Sequence, residues 1–257
     1  SLDETLQVVD LHGRRWARAL QPVNKRIREL GLPYWLDPYF VHRASEGREI
    51  RLYFLIAHEV EHIERFRNAD GRELGALHVR RIDDLGLAGT TLGFVTEDEP
   101  FALIQLDEIA DHVTRRLESI RDEGRCGIAH AEGTVRITDA LAYSAMDTAC
   151  AESLQALLAA RGFDLEDPVG FDRAADALGE LQIRATELHE VQHQVDGDGI
   201  SIPRVLYELI PVAQDTQLER PAKELSAYAA ELTVRDPLSL AWTLSQLTAF
   251  LTTGHVS

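Results

Sequence analysis

The chain has 257 residues, 45% hydrophobic and 27% charged, and its 26 basic and 43 acidic side chains give a net charge of −17. That length and composition suit a globular protein of one large domain or two smaller ones. The acidic excess argues against nucleic-acid binding, which draws its affinity from cationic contacts to phosphate, and against anionic membrane surfaces.

Residues 3 to 30 read as helical, in two pieces broken near Pro22. Arg14, Arg15, Arg18, Lys25, Arg26 and Arg28 make this the most basic part of the chain, and a solvated helix face is its simplest meaning. Residues 48 to 83 read as a β-hairpin. Tyr53, Phe54, Ile56, Val60, Ile63 and Phe66 supply β-branched and aromatic residues, Asn68-Ala69-Asp70-Gly71 supplies the turn, and Leu74 to Ile82 is the returning strand. Phe101 to Leu106 is another short apolar run, leading into a helix from Asp107 to about Asp122.

Glu123 to Gly133 contains three glycines and reads as a loop, which divides the chain into regions 1–125 and 126–257. Thr134 to Thr138 suits a short strand. Helices are then expected near 140–161, 173–195, 203–215, 221–234 and 238–252. The expected class is α+β: an N-terminal β-hairpin or sheet region with helices, then a mainly helical half. No apolar run reaches the roughly 20 residues of a transmembrane helix. Leu2 to Val9 carries Asp3 and Glu4 and is too short for the apolar core of a signal peptide. With only Cys126 and Cys150, a reducing, cytoplasmic compartment is the default expectation, with a single bridge as the alternative.

The segment Arg173 to Val195 carries the chemistry. Leu178, Leu181, Ala185, Leu188, Val191 and Val195 recur at spacings of three and four and define a buried helical stripe. Asp172 is a candidate N-cap, and Gly197 and Gly199 end the segment. His189 and His193 stand four apart, so both imidazoles share one face, one turn apart. Two such nitrogens can bind one tetrahedral Zn²⁺ at about 2.0–2.1 Å. Glu190 sits beside them, placed to take a proton from a water at the metal. The bland alternative is two ordinary helix histidines in a metal-free helical scaffold.

His189-Glu190-Val191-Gln192-His193 resembles the His-Glu-x-x-His zinc peptidases. A metzincin would carry His at position 199, where this chain has Gly199. The gluzincin-like members take a Glu from a later helix, and Glu224-Leu225-Ser226-Ala227-Tyr228-Ala229-Ala230-Glu231 is similar to that element. The resemblance implies a zincin-like C-terminal half with Glu224, 31 residues after His193, as third ligand. Glu208, Asp215 and Glu231 are rivals. The family often has Asp where this chain has Tyr228, so the carboxylate orienting a ligand histidine is left to Asp196 or Glu231. The implied reaction is peptide-bond hydrolysis of a peptide or protein substrate. Zn²⁺ would be held by His189, His193 and Glu224, Glu190 would be the general base, and Tyr207 or Tyr228 would donate to the oxyanion. A non-catalytic zinc-stabilised module that binds a protein partner is the rival from another class. Glu190 separates the two, since a structural site does not require it.

His58-Glu59-Val60-Glu61-His62 fits the same five-residue pattern. In the hairpin both histidines point to one strand face but stand roughly 13 Å apart, at about 3.3 Å per residue, too far to share an ion. Were the segment helical, Glu108 or Asp111 would complete a site. Cys126 and His130 suggest a cysteine nucleophile only weakly. Cys150, 39 residues before His189, is the one hint of deformylase-like hydrolysis, which also combines an upstream cysteine ligand with this helix.

Overall fold

The computed structural model describes residues 18–45, 48–68, 71–82, 92–95, 101–126, 137–197, 199–209 and 215–253. The chain divides into two compact units, Ser1–Asp107 and Glu108–Ser257. The division thus falls in the first turn of the helix that was expected to end the first region, and most of the expected loop from Glu123 to Gly133 lies outside the described residues. The class is α+β, with the sheet in the first unit and most of the helices in the second.

In the first unit a helix, α1 (18–29), runs through Pro22 without a break. Five strands follow: β1 (Tyr34–Ser45), β2 (Arg48–Arg67), β3 (Glu73–Arg81), β4 (Gly93–Val95) and β5 (Phe101–Gln105). Their order in the sheet is β1-β2-β3-β5-β4. The expected hairpin is β2 and β3, paired antiparallel from His58↔Arg81 to Arg67↔Glu73. The sequence did not signal β1, because Asp37 and Pro38 interrupt its pattern. Both are tolerable because β1 is an edge strand. Asn24 of α1 ties down this edge. Its side-chain Nδ2 donates to the carbonyl of Leu36, and its Oδ1 accepts from the Leu36 N–H, both at 2.9 Å.

The core of this unit gathers Trp35, Leu77, Val79 and Leu103, with Val60, Phe94 and Phe101 packed against it. Each such buried side chain contributes about 1.5–3 kcal/mol. β3 and β5 run parallel, with Gly75 opposite Phe101. A Cβ at Gly75 would stand 2.5 Å from the Phe101 ring, so the close approach requires glycine there.

The second unit is built from α2 (Leu106–Glu123), α3 (Ile137–Ala160), α4 (Pro168–Asp196), α5 (Arg204–Leu209), α6 (Asp215–Glu231) and α7 (Pro237–Thr253). Ile137 and Thr138, expected in a strand, are helical, and the rest of that short segment lies outside the described residues. Ile109, Val113, Leu117 and Ile120 of α2 are fully buried, as are Leu154, Leu158, Leu178, Leu238 and Trp242. The buried Arg116 guanidinium donates to the carbonyl of Cys126 and to Ser245 Oγ and lies 4.5 Å from the Trp242 ring centroid.

Cys126 and Cys150 form a disulfide. Of the two readings the sequence left open, reduced thiols by default or a single bridge, the bridge is the one present, since the sequence says nothing of the tertiary proximity of two cysteines. The bridge also removes Cys126 as a nucleophile and Cys150 as a metal ligand, the one hint of a deformylase-like site. It closes a segment of 24 residues, which in the chain-entropy view stabilises by about 2–4 kcal/mol. Cys150→Ser is expected to lower unfolding free energy by about that amount in non-reducing urea titrations. Equal stability of variant and parent would show that the bridge is absent in solution.

Candidate metal centre

α4 begins earlier than its periodicity suggested. Asp167 is the N-cap, its carboxylate accepting from the Gly170 N–H at 2.9 Å, and Pro168 follows in the first helical turn. Asp172 lies inside the helix. At the other end Gly197 adopts φ 52° and returns its N–H to the His193 carbonyl. The whole motif from His189 to His193 is therefore on regular helix.

The buried face of α4 differs from the expected stripe. Leu178 and Ala185 are buried, but Val195 is 42% exposed and Leu181, Leu188 and Val191 are only partly covered. The buried set includes Gln182, Thr186, Glu187, Glu190 and Gln194. Burying such groups unpaired costs about 1–3 kcal/mol each, so polar partners must line this face. Gln182 shows the pattern: it accepts from Trp242 Nε1 and donates to Thr186 Oγ1.

α6 packs against α4. It starts at Asp215, six residues before the expected start at Pro221. An interior proline costs about 3 kcal/mol. Burial of Leu218 and Ala222 beside it, in a cluster with Leu206, offsets that cost. Leu225 and Leu232 are 43% and 39% exposed, whereas Ala227 and Glu231 are buried. The face opposite the exposed leucines carries Glu224, Tyr228 and Glu231 toward α4.

There the expected ligands meet. His193 Nε2 lies 3.1 Å from His189 Nε2. Glu224 Oε2 lies 3.5 Å from His189 Nε2 and 3.8 Å from His193 Nε2. A tetrahedral ion with bonds of about 2.0–2.1 Å needs its ligand atoms about 3.3–3.4 Å apart, and the three separations bracket that value. Among the described residues this is the one His/Cys/Asp/Glu group arranged to hold a metal ion. Two imidazoles and one carboxylate suit zinc and leave a fourth position open.

The surroundings fit a cation as well. Glu231 Oε1 stands 2.6 Å from His189 Nδ1, the carboxylate–histidine contact that fixes a ligand imidazole with its other nitrogen toward the metal. Of the two carboxylates that the sequence left for this contact, Glu231 is the one that reaches His189. Asp196 instead accepts from Gln192 Nε2 at 2.8 Å and from Ser226 Oγ at 3.3 Å. Burial opposes the His189 imidazolium, yet the hydrogen bonds it donates to Glu224 and Glu231, with the charges of Glu231 and Glu190, lift its pKa to about 10. His193 moves the other way: burial and the neighbouring His189 charge lower its pKa. Glu224 is pushed up by burial, but His189 and His193 outweigh that and hold it below the usual carboxylate range.

Glu190 is buried and is not one of the three residues grouped to hold an ion. Burial raises its pKa to about 7, with Glu224 and Glu231 adding to the rise and His189 opposing it. Of the two expected oxyanion donors, Tyr228 packs its ring on His189 with centroids 4.9 Å apart. Burial and the three carboxylates push its phenol up to about 12, so it remains a proton donor. Tyr207 lies on α5 and is 39% exposed. Glu208, a rival ligand, is exposed and paired with Arg204 at 3.0 Å. Asp215 opens α6, and its side chain lies outside the described residues.

The second pattern match lies on β2, as expected, so its histidines are strand residues. A register shift between Val60 and His62 breaks the alternation. His58 is buried at 2%, while His62 is exposed and bonded to Glu64 at 3.0 Å. They do not present one face as the sequence suggested, because a bulge is invisible in a two-residue period.

The two acidic groups of α6 differ in their expected weight. Glu224→Gln removes a ligand charge and should weaken zinc retention far more than Glu231→Gln, whose loss should be about 10–100-fold. Competition with a zinc chelator measures both. Equal affinity of Glu224→Gln and the parent would move the ligand role to Glu231, Glu208 or Asp215.

Comparison with known protein families, curated proteins and solved structures gives no match.

Proposed function

We propose that this chain is a zinc-dependent metallopeptidase, gluzincin-like in its ligand set, that hydrolyses peptide bonds in a peptide or protein substrate. One observation carries the reading: His189, His193 and Glu224 converge at metal-ligand separations, and a buried carboxylate, Glu190, stands beside them without being a ligand. A zinc ion held by those three residues would act as a Lewis acid on the scissile carbonyl and bring the pKa of a water down toward neutrality.

The chain's own residues supply the rest. Glu190 accepts the proton of the attacking water on its carboxylate. It then delivers that proton to the nitrogen of the leaving amine as the C–N bond breaks. Tyr228 keeps its phenolic proton and donates a hydrogen bond to the developing oxyanion; Tyr207 is the less buried alternative. Glu231 holds His189 in one ring orientation and tautomer. A non-catalytic zinc module would not need a buried acid beside its ligands, and Glu190 therefore favours catalysis.

A disulfide persists in oxidising surroundings, so the Cys126–Cys150 bridge favours an oxidising compartment over the cytoplasm. No described helix is long and apolar enough to cross a membrane. A peptide-library screen with protein purified without chelator tests the activity. Cleavage is expected, lost on chelation and restored by zinc. Cleavage that survives full metal removal would contradict the proposal.

A further inference from the structure

The first unit contains a cavity of about 670 Å³ that the peptidase reading does not use. It lies between the C-terminal end of α1 and the sheet. Its volume falls within the range of about 300–1,000 Å³ typical of small-molecule pockets. Trp35, Val60, Leu77 and Phe101, all members of the apolar core or packed on it, form the inner wall. The mouth also has an apolar lip, where Leu32 and Tyr34 are 47% and 41% exposed.

The charged lining is lopsided. Its two carboxylates are already engaged: Glu61 bonds to Arg80 at 2.6 Å and Glu29 to Arg26 at 3.2 Å. Among the described residues Lys25 and Arg65 form no ion pair, and both are exposed at the cavity. Arg28 adds a third positive charge, held 5.3 Å from the Trp35 ring centroid and 5.5 Å from that of Phe101. The pocket thus joins an apolar wall to two exposed cations, Lys25 and Arg65, in a chain of net charge −17.

We infer that this cavity binds a small amphipathic carboxylic acid, its aliphatic or aromatic body against Trp35 and Leu77 and its carboxylate toward Arg65 and Lys25. The planar guanidinium of Arg65 matches a carboxylate with two parallel hydrogen bonds. The body displaces water from the apolar wall, which supplies most of the affinity. The inference is independent of the metal centre and stands or falls without it.

Calorimetric titration of the full chain with octanoate, octanol and acetate tests it. Octanoate is expected to saturate one site per chain, with a dissociation constant of roughly 1 mM or tighter. Octanol lacks the charge and acetate lacks the body, so each is expected to bind at least about tenfold more weakly. Lys25→Glu with Arg65→Glu should cost octanoate about tenfold or more, and added salt should weaken binding to the parent. Circular dichroism checks that the double variant is folded; Arg65→Gln alone, an exposed neutral change, serves if it is not. Failure of octanoate to saturate would overturn the inference. So would equal affinity for octanoate and octanol, or unchanged octanoate affinity in the charge variants.

Discussion

Glu190→Gln is expected to lose about 10²–10⁴-fold in peptide hydrolysis while keeping its zinc. The substitution removes the proton acceptor and preserves nearly the same shape. His189, His193 and Glu224, the three groups that converge on one point, are untouched. The loss falls on the rate at saturating substrate, because the proton moves only in the chemical step. The rate assay uses whichever peptide the library screen identifies, and elemental analysis of the same sample reports the metal. Full activity in a zinc-loaded Glu190→Gln protein would remove Glu190 from the mechanism. If no peptide is cleaved and a partner is captured only when zinc is present, the binding-module reading replaces the enzymatic one.

The second large effect separates the two His-Glu-x-x-His copies. His193→Ala deletes a ligand and should lower zinc affinity by more than the roughly 10–100-fold typical of an orienting partner. His62→Ala should leave it unchanged. His62 is exposed on β2, is bonded to Glu64, and belongs to a pair whose other member is buried in the sheet. The reverse result would move the metal to the first unit.

The copies also show what the sequence could and could not reveal. On α4 the relation between His189 and His193 is local, since four residues make about one helical turn whatever else the chain does. Glu224 was singled out by the resemblance to a gluzincin-like ligand helix, since its helical face alone, shared with Tyr228 and Glu231, does not distinguish the two carboxylates. The role of Glu231 was not legible, because it depends on which carboxylate of α6 reaches His189 Nδ1 once the helices pack. The apolar periodicity of α4 misled, because its buried face is occupied by polar groups such as Gln182, Glu187 and Glu190; Gln182 is paired with Trp242 of α7 and Glu187 with Arg184 of α4 itself. Strand β1 escaped notice because an edge strand tolerates Pro38, which would disqualify a central one. The Cys126–Cys150 bridge is a tertiary fact that spacing does not encode.

The most direct measurement is the metal content of the full chain purified without chelator, read by elemental analysis alongside circular dichroism. We expect about one zinc per chain, since three ligands and one open position make a single mononuclear site. A protein that is fully folded, carries no zinc and takes up none when zinc is supplied would contradict the assignment of His189, His193 and Glu224 as its ligands.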